Sequence, residues 1–341
     1  MANKPYKILV VGPSWVGDMV MAQSLFMTLK ANNPNCQVDV LAPEWSFSLL
    51  DRMPEVTKAI AMPLGHGTFG LGARYKLGKS LQLSGYDQAI LLPNSWKSAL
   101  IPFFAKIPLR TGYIGESRWG LLNDARKLEK SLLTMTVQRF VGLGFGKDES
   151  PRKSGFPEQY PVPKLAIEKD KQIAVSQQFN LTITDNILAL CPGAEYGPAK
   201  RWPAEHYAEI ARHKIEQGWQ VWLFGSEKDS EVAEEINNTT QHQCTDFTGK
   251  TTMAEAVDLM SLVNTVVTND SGLMHVAAAL DKNIIAIYGS SDPDFTPPLN
   301  SKAKVISLQL SCSPCFKRDC PLGHTLCLKD IKSSLVLESI N

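Results

Sequence analysis

The sequence predicts an α/β protein made of two parallel-sheet domains, and three observations carry that prediction. Short apolar, β-branched runs alternate with amphipathic helical stretches from the start of the chain, as buried parallel strands joined by crossover helices do. A proline-rich segment near the middle interrupts the alternation, and the same strand–helix order then begins again. The 341 residues suffice for two domains with substantial cores.

Residues 7–12 are the first apolar run and read as a buried strand. Gly12-Pro-Ser-Trp-Val-Gly-Asp18 turns the chain into a helix over 19–30, with Ala22, Leu25, Phe26 and Leu29 on one face. Asn32-Asn33-Pro34 stops that helix, and residues 37–42 form the next strand. The opening loop holds Gly12 and Gly17 but no G-x-G-x-x-G, so the dinucleotide fingerprint is absent. Asp18 is its one ionisable group, either a carboxylate favouring the helix N-terminus or a catalytic group at a strand's carboxyl end.

Residues 63–85 are glycine-rich and basic, with Gly65, Gly67, Gly70, Gly72 and Gly78 beside Arg74, Lys76 and Lys79. They read as a surface loop or a helix with loose ends. Residues 87–92 are another strand. Residues 98–109 are apolar, with Pro102 and Pro108, and form a packed helix or a patch that touches lipid. Arg110, Arg118 and Arg126 follow.

Pro151, Pro157, Pro161 and Pro163 mark a linker. A helix over 166–179 and a strand over 186–190 open the second series. Cys191-Pro-Gly-Ala-Glu-Tyr-Gly-Pro-Ala-Lys-Arg-Trp-Pro203 is a long loop before a helix over 204–217, and its Lys200 is suited to meet a phosphate. After the strand 220–224, Glu227 is either a first-turn acid or a partner for ribose hydroxyls. Residues 248–253 lead into a helix over 254–263. Thr265-Val-Val-Thr-Asn-Asp-Ser-Gly-Leu-Met-His275 then reads as strand, polar turn and helix start, a combination that presents free N–H groups to an anion.

The net charge of +1 conceals an asymmetry. Residues 1–165 hold 20 Lys and Arg against 12 Asp and Glu, a net of +8; the rest hold 15 against 22, a net of −7. A basic first half suits an anionic partner. The aromatic-basic pattern of a nucleic-acid module is missing. No apolar h-region opens the chain and no run approaches bilayer-spanning length, so neither a signal peptide nor a membrane helix is expected. Seven cysteines, three of them scattered, fit a reducing cytoplasm.

Taken together, Val11-Gly-Pro-Ser-Trp-Val-Gly-Asp-Met19, the 191–203 loop, Phe224-Gly-Ser-Glu227, Thr268-Asn-Asp-Ser-Gly-Leu-Met-His275 and the tail Cys312-Ser-Pro-Cys-Phe-Lys-Arg-Asp-Cys-Pro-Leu-Gly-His324 resemble the lipopolysaccharide heptosyltransferases, glycosyltransferase family 9. The resemblance implies the GT-B fold: two Rossmann-like, doubly wound domains facing a cleft. Residues 1–160 would bind the acceptor, residues 165–325 the ADP-sugar, and a helix over 326–341 would return to the first domain.

By motif, Asp18 would be the general base, Lys200 would hold the diphosphate and sugar, and Glu227 the ribose. Asp270 would orient heptose hydroxyls, Ser271 and Gly272 would meet the diphosphate, His275 would support them, and Thr251 falls at the adenosine pocket. Arg74, Lys76, Arg110 and Arg118 are the acceptor-side candidates.

The implied donor is ADP-heptose, and the implied acceptor is a phosphorylated Kdo–lipid A bearing a heptose. The implied protein is a monomer, cytoplasmic and peripheral on the inner membrane, with no required cofactor and no implied magnesium. Asp292-Pro-Asp294 mimics a metal-binding D-x-D but sits in a proline-rich turn. Cys312, Cys315, Cys320 and Cys327 with His324 read as a zinc set or as reduced thiols. A heptosyltransferase of the same family that adds heptose I or III, a sugar-nucleotide epimerase of the same architecture and a two-lobed periplasmic-type binding protein are the competing readings.

Overall fold

The computed structural model describes residues 4–65, 68–147 and 155–340. Pro151 of the expected linker and Gly67 of the glycine-rich stretch lie outside the described residues. The chain divides into two units, Met1–Pro163 and Lys164–Asn341.

The first unit contains β1 (Lys7–Val11), β2 (Gln37–Ala42), β3 (Lys58–Ala61), β4 (Gln88–Leu91), β5 (Leu109–Tyr113) and β6 (Asp124–Arg126). They form one six-stranded sheet in the order β3-β2-β1-β4-β5-β6, parallel throughout. β1 is central: Val10 stands between Val40 and Ile90. Ile8 to Val11 are buried as a run because helices cover both faces of such a sheet.

The second unit contains β7 (Ile187–Cys191), β8 (Gln220–Leu223), β9 (Thr245–Asp246), β10 (Thr265–Asn269), β11 (Asn283–Ile287) and β12 (Ala303–Ile306). Its order, β12-β11-β10-β7-β8-β9, is the same topology read from the other edge. Both units therefore have the dinucleotide-fold strand order, in which the chain winds outward one way and then reverses.

The apolar stretch 98–109 is not one helix. A 3-10 turn over Trp96–Ala99 runs into a short helix, Leu100–Phe104. Lys106 then takes a left-handed backbone (φ 54°), Pro108 cannot continue a helix, and β5 begins at Leu109. The glycine-rich stretch holds a helix, Leu71–Leu81, packed on Leu100–Phe104. Gly78 permits that contact, since a Cβ there would lie 2.5 Å from the Cβ of Phe104.

The tail differs from expectation. It forms two short helices, Leu326–Lys329 and Ser333–Leu337, and its apolar residues go into the second unit. Leu328, Ile331, Val336 and Ile340 join the core built on Tyr207, Ile210 and Ile236, and the indole N–H of Trp202 donates to the Ile331 carbonyl at 2.9 Å. Leu337 packs against the same core, and Leu335 is 43% exposed.

Candidate functional site

In a sheet of this order, ligands bind outside the carboxyl ends of the strands at the point where the winding reverses. In the second unit that point lies between β7 and β10. The loop after β7 and the turn after β10 meet there.

Asn269, the last residue of β10, joins them. Its buried amide donates to the Pro192 carbonyl (2.7 Å), and its carbonyl oxygen accepts from Trp202 N–H and the Tyr207 hydroxyl, both at 3.0 Å. Asn269 is therefore a clamp on the 191–203 loop and not the helix cap that its residue type suggests. The clamped loop presents Lys200 from the 3-10 turn Pro198–Lys200. Its ammonium group donates to the buried carboxylate of Asp270, so two residues predicted for the donor form one ion pair.

The helix Gly272–Ala279 starts at this pair without a side-chain cap. Ser271 has an extended backbone, and its hydroxyl lies 3.2 Å from that of Thr268. The first N–H groups of the helix are thus available to an anion. His275 is buried one turn in. Burial lowers its pKa to about 4, Asp270 opposes the shift and Lys200 adds to it, so the imidazole is neutral at pH 7.

The next two strands extend the rim. Ser226 and Asp229 close a capping box after β8, with Ser226 N–H (3.0 Å) and hydroxyl (2.8 Å) both donating to Asp229. Arg201 reaches the same carboxylate at 3.5 Å. Gly193 rests on it so closely that a Cβ there would lie 2.4 Å away. Glu227 is exposed beside this box. Gly249 N–H donates to the Gly225 carbonyl at 3.0 Å, which brings the loop of Thr251 against the loop of Glu227.

A continuous path thus links Asp270 and Lys200, through Arg201 and Asp229, to Glu227 and Thr251. Sequence reading missed Asn269 and Asp229 as organisers; the Ser-x-x-Asp spacing of a capping box was the available signal for Asp229. It also missed Arg318, whose guanidinium and the Lys200 ammonium each lie 5.2 Å from the Tyr196 ring. Several buried polar atoms at this rim have no protein partner: the hydroxyls of Thr248, Ser290 and Ser291, and Nε of Arg201. Orphaned groups of this kind mark a place where a polar ligand completes the bonding.

In the first unit, Asp18 sits half-buried in the first turn of the helix Val16–Asn32, directly after β1. That is the reversal point of the first sheet, between β1 and β4. Three of the four acceptor-side candidates direct their guanidinium groups at loop carbonyls. Arg74 is buried and donates to the carbonyls of Phe69 (2.6 Å), Thr68 (3.1 Å) and Lys97 (3.2 Å). Arg110 donates to the carbonyls of Leu121 and Ile107, both at 2.6 Å. Arg118, also buried, donates to the carbonyls of Pro93 and Tyr113. These guanidinium groups satisfy loop carbonyls, a sufficient reason for their burial. Lys76 is exposed.

Among the described residues, no three His, Cys, Asp or Glu side chains converge to hold a metal ion. Cys312, Cys315, Cys320 and Cys327 are half-buried free thiols. Asp292 accepts the N–H of Asp294 at 2.8 Å, an ordinary turn contact.

Two Rossmann-like units, one with an uncapped helix start and a lysine at its reversal point and orphaned hydroxyls along the same rim, make the architecture of a GT-B glycosyltransferase. Residues 74–326 match the model of glycosyltransferase family 9 (heptosyltransferase), and the chain belongs to that family. It is 50% identical to lipopolysaccharide heptosyltransferase 2 of Salmonella typhimurium, over 98% of this chain and 97% of that protein. The heptosyltransferase 2 of Escherichia coli is 49% identical over the same shares. The solved structure of the E. coli ADP-heptose lipopolysaccharide heptosyltransferase II matches with a TM-score of 0.88 at 47% identity, covering 98% of this chain and 97% of that one.

Proposed function

We propose that this enzyme transfers L-glycero-D-manno-heptose from ADP-heptose to the first heptose of the lipopolysaccharide inner core, with inversion. The carrying observation is near-full-length identity to proteins named heptosyltransferase 2. The rim of the second unit supplies what the donor requires. Lys200 and the N–H groups at Ser271 and Gly272 take the diphosphate. Asp270 orients heptose hydroxyls, neutral His275 supports the turn, Glu227 takes the ribose, and Thr251 borders the adenosine.

In the reaction, the acceptor hydroxyl oxygen bonds to the anomeric carbon as the bond from that carbon to the phosphate oxygen breaks. Asp18 receives the hydroxyl proton and ADP leaves as an anion, which the lysine and the helix start stabilise. Lys76 is the acceptor-side cation in position to meet a phosphate, while Arg74, Arg110 and Arg118 hold the loops around it. The protein acts as a monomer, peripheral on the cytoplasmic face of the inner membrane. The net charge of +8 in residues 1–165 supports that placement. Among the described residues no helix is long and apolar enough to cross a membrane.

Incubation with ADP-heptose tests the reaction class. ADP should accumulate only when Kdo–lipid A bearing one heptose is added. A rearranged sugar nucleotide formed without acceptor would establish the epimerase reading instead.

A further inference from the structure

The helices Leu71–Leu81 and Leu100–Phe104, packed together in the first unit, leave an apolar face uncovered. Phe69, Leu71, Tyr75, Trp96 and Phe103 are each 40–48% exposed. They are not scattered: Phe69 and Trp96 are in ring contact at 5.1 Å, and Tyr75 and Phe103 both pack on Phe104, at 5.2 and 5.8 Å. A groove of about 400 Å³ runs between Tyr75, Phe103 and Phe104, with Lys79, Lys106 and Arg110 at its edges.

The charge around this face is predominantly positive. Residues 56–115 carry seven Lys and Arg and a single acidic residue, Asp87. Asp87 stands just before β4, where its carboxylate accepts the Lys7 N–H at 2.8 Å. The next acidic residue along the chain, Glu116, accepts the Trp96 N–H at 3.1 Å. Lys76, Lys79 and Lys106 are exposed. The Lys79 ammonium and the Arg110 guanidinium lie 5.7 Å from the rings of Tyr75 and Phe103.

We propose that this face docks on a bilayer bearing anionic headgroups, with the aromatic rings at headgroup depth and the lysines on the lipid phosphates. The composition decides between occupants. Protein interfaces are depleted in lysine at their centres, whereas aromatic rings interleaved with snorkelling lysines are the composition of a membrane interface. The inference rests on the peripheral-membrane reading above and names the surface responsible. Phe69 and Trp96 follow the carboxyl ends of β3 and β4, the sheet edge that also carries Asp18. A lipid-anchored acceptor would therefore be held on the edge where its hydroxyl reacts.

The test uses the full chain with vesicles of phosphatidylcholine, alone or with about one-third phosphatidylglycerol. Wild type should co-sediment with the anionic vesicles, less so as salt rises. Tyr75→Ser/Phe103→Ser and Lys79→Glu/Lys106→Glu should each reduce that binding at least tenfold, while heptosyl transfer to a deacylated, water-soluble acceptor stays unchanged. Wild-type affinity in the lysine pair, whose exposed sites tolerate substitution, overturns the proposal even if the aromatic pair misfolds. So does a concentration-dependent dimer that the variants abolish while wild type ignores vesicles. Absence of transfer by wild type to the soluble acceptor would instead refute the proposed function and leave the vesicle result to be judged on its own.

Discussion

Asp18→Asn is expected to lower kcat about a hundredfold or more while ADP-heptose affinity stays nearly intact. Asparagine has almost the shape of aspartate but cannot take the proton that the acceptor hydroxyl loses as its bond to the sugar forms. Asp18 lies in the first turn of Val16–Asn32, at the carboxyl end of β1, and no donor-side residue assigned above lies in that unit. The loss should therefore fall on turnover and not on donor binding. A structural role gives a different result, because Asn serves a helix start about as well as Asp. Steady-state kinetics beside donor calorimetry separate the two. Near wild-type turnover in the variant would place the base elsewhere.

Lys200→Met should weaken ADP-heptose binding by roughly 1.5–3 kcal/mol, about ten- to a hundredfold in Kd. Methionine keeps an apolar stem beside Tyr196 and removes the charge. The variant also leaves the buried Asp270 carboxylate without its ion-pair partner, so stability should fall as well. Lys200→Met/Asp270→Asn separates these effects: it should recover much of the lost stability but none of the lost affinity. Recovery of both in the double variant would mean that Lys200 acts on the donor only by neutralising Asp270.

Much of the frame was legible in the sequence because the central strands are buried on both faces and read as unbroken apolar runs. β1 and β7 are of this kind. The edges were not. β9 has two residues, Thr245–Asp246, and β6 is Asp-Ala-Arg; each is paired on one side only and has no period to detect. In the tail, apolar spacing shows that Leu328 and Ile331 are buried but not that they join the core of the second unit.

The site divided along the same line. Lys200, Asp270 and His275 stand in or beside turns where chemistry and local pattern coincide, and the structure brings them together. Asn269 was passed over because a buried amide spanning 77 residues to Pro192 leaves no local mark. The acceptor-side arginines show the opposite difficulty. A cation in sequence looks available for an anion, and only the fold reveals that Arg74 donates to three loop carbonyls and that Arg118 donates to the Pro93 and Tyr113 carbonyls.

The most direct measurement is the mass of the product formed from ADP-heptose and a graded acceptor series: Kdo–lipid A carrying no heptose, one heptose and two. The account predicts that the acceptor with one heptose gains a single heptose residue, and that the other two remain unchanged. Extension of the heptose-free acceptor, or only of the one carrying two, would contradict it.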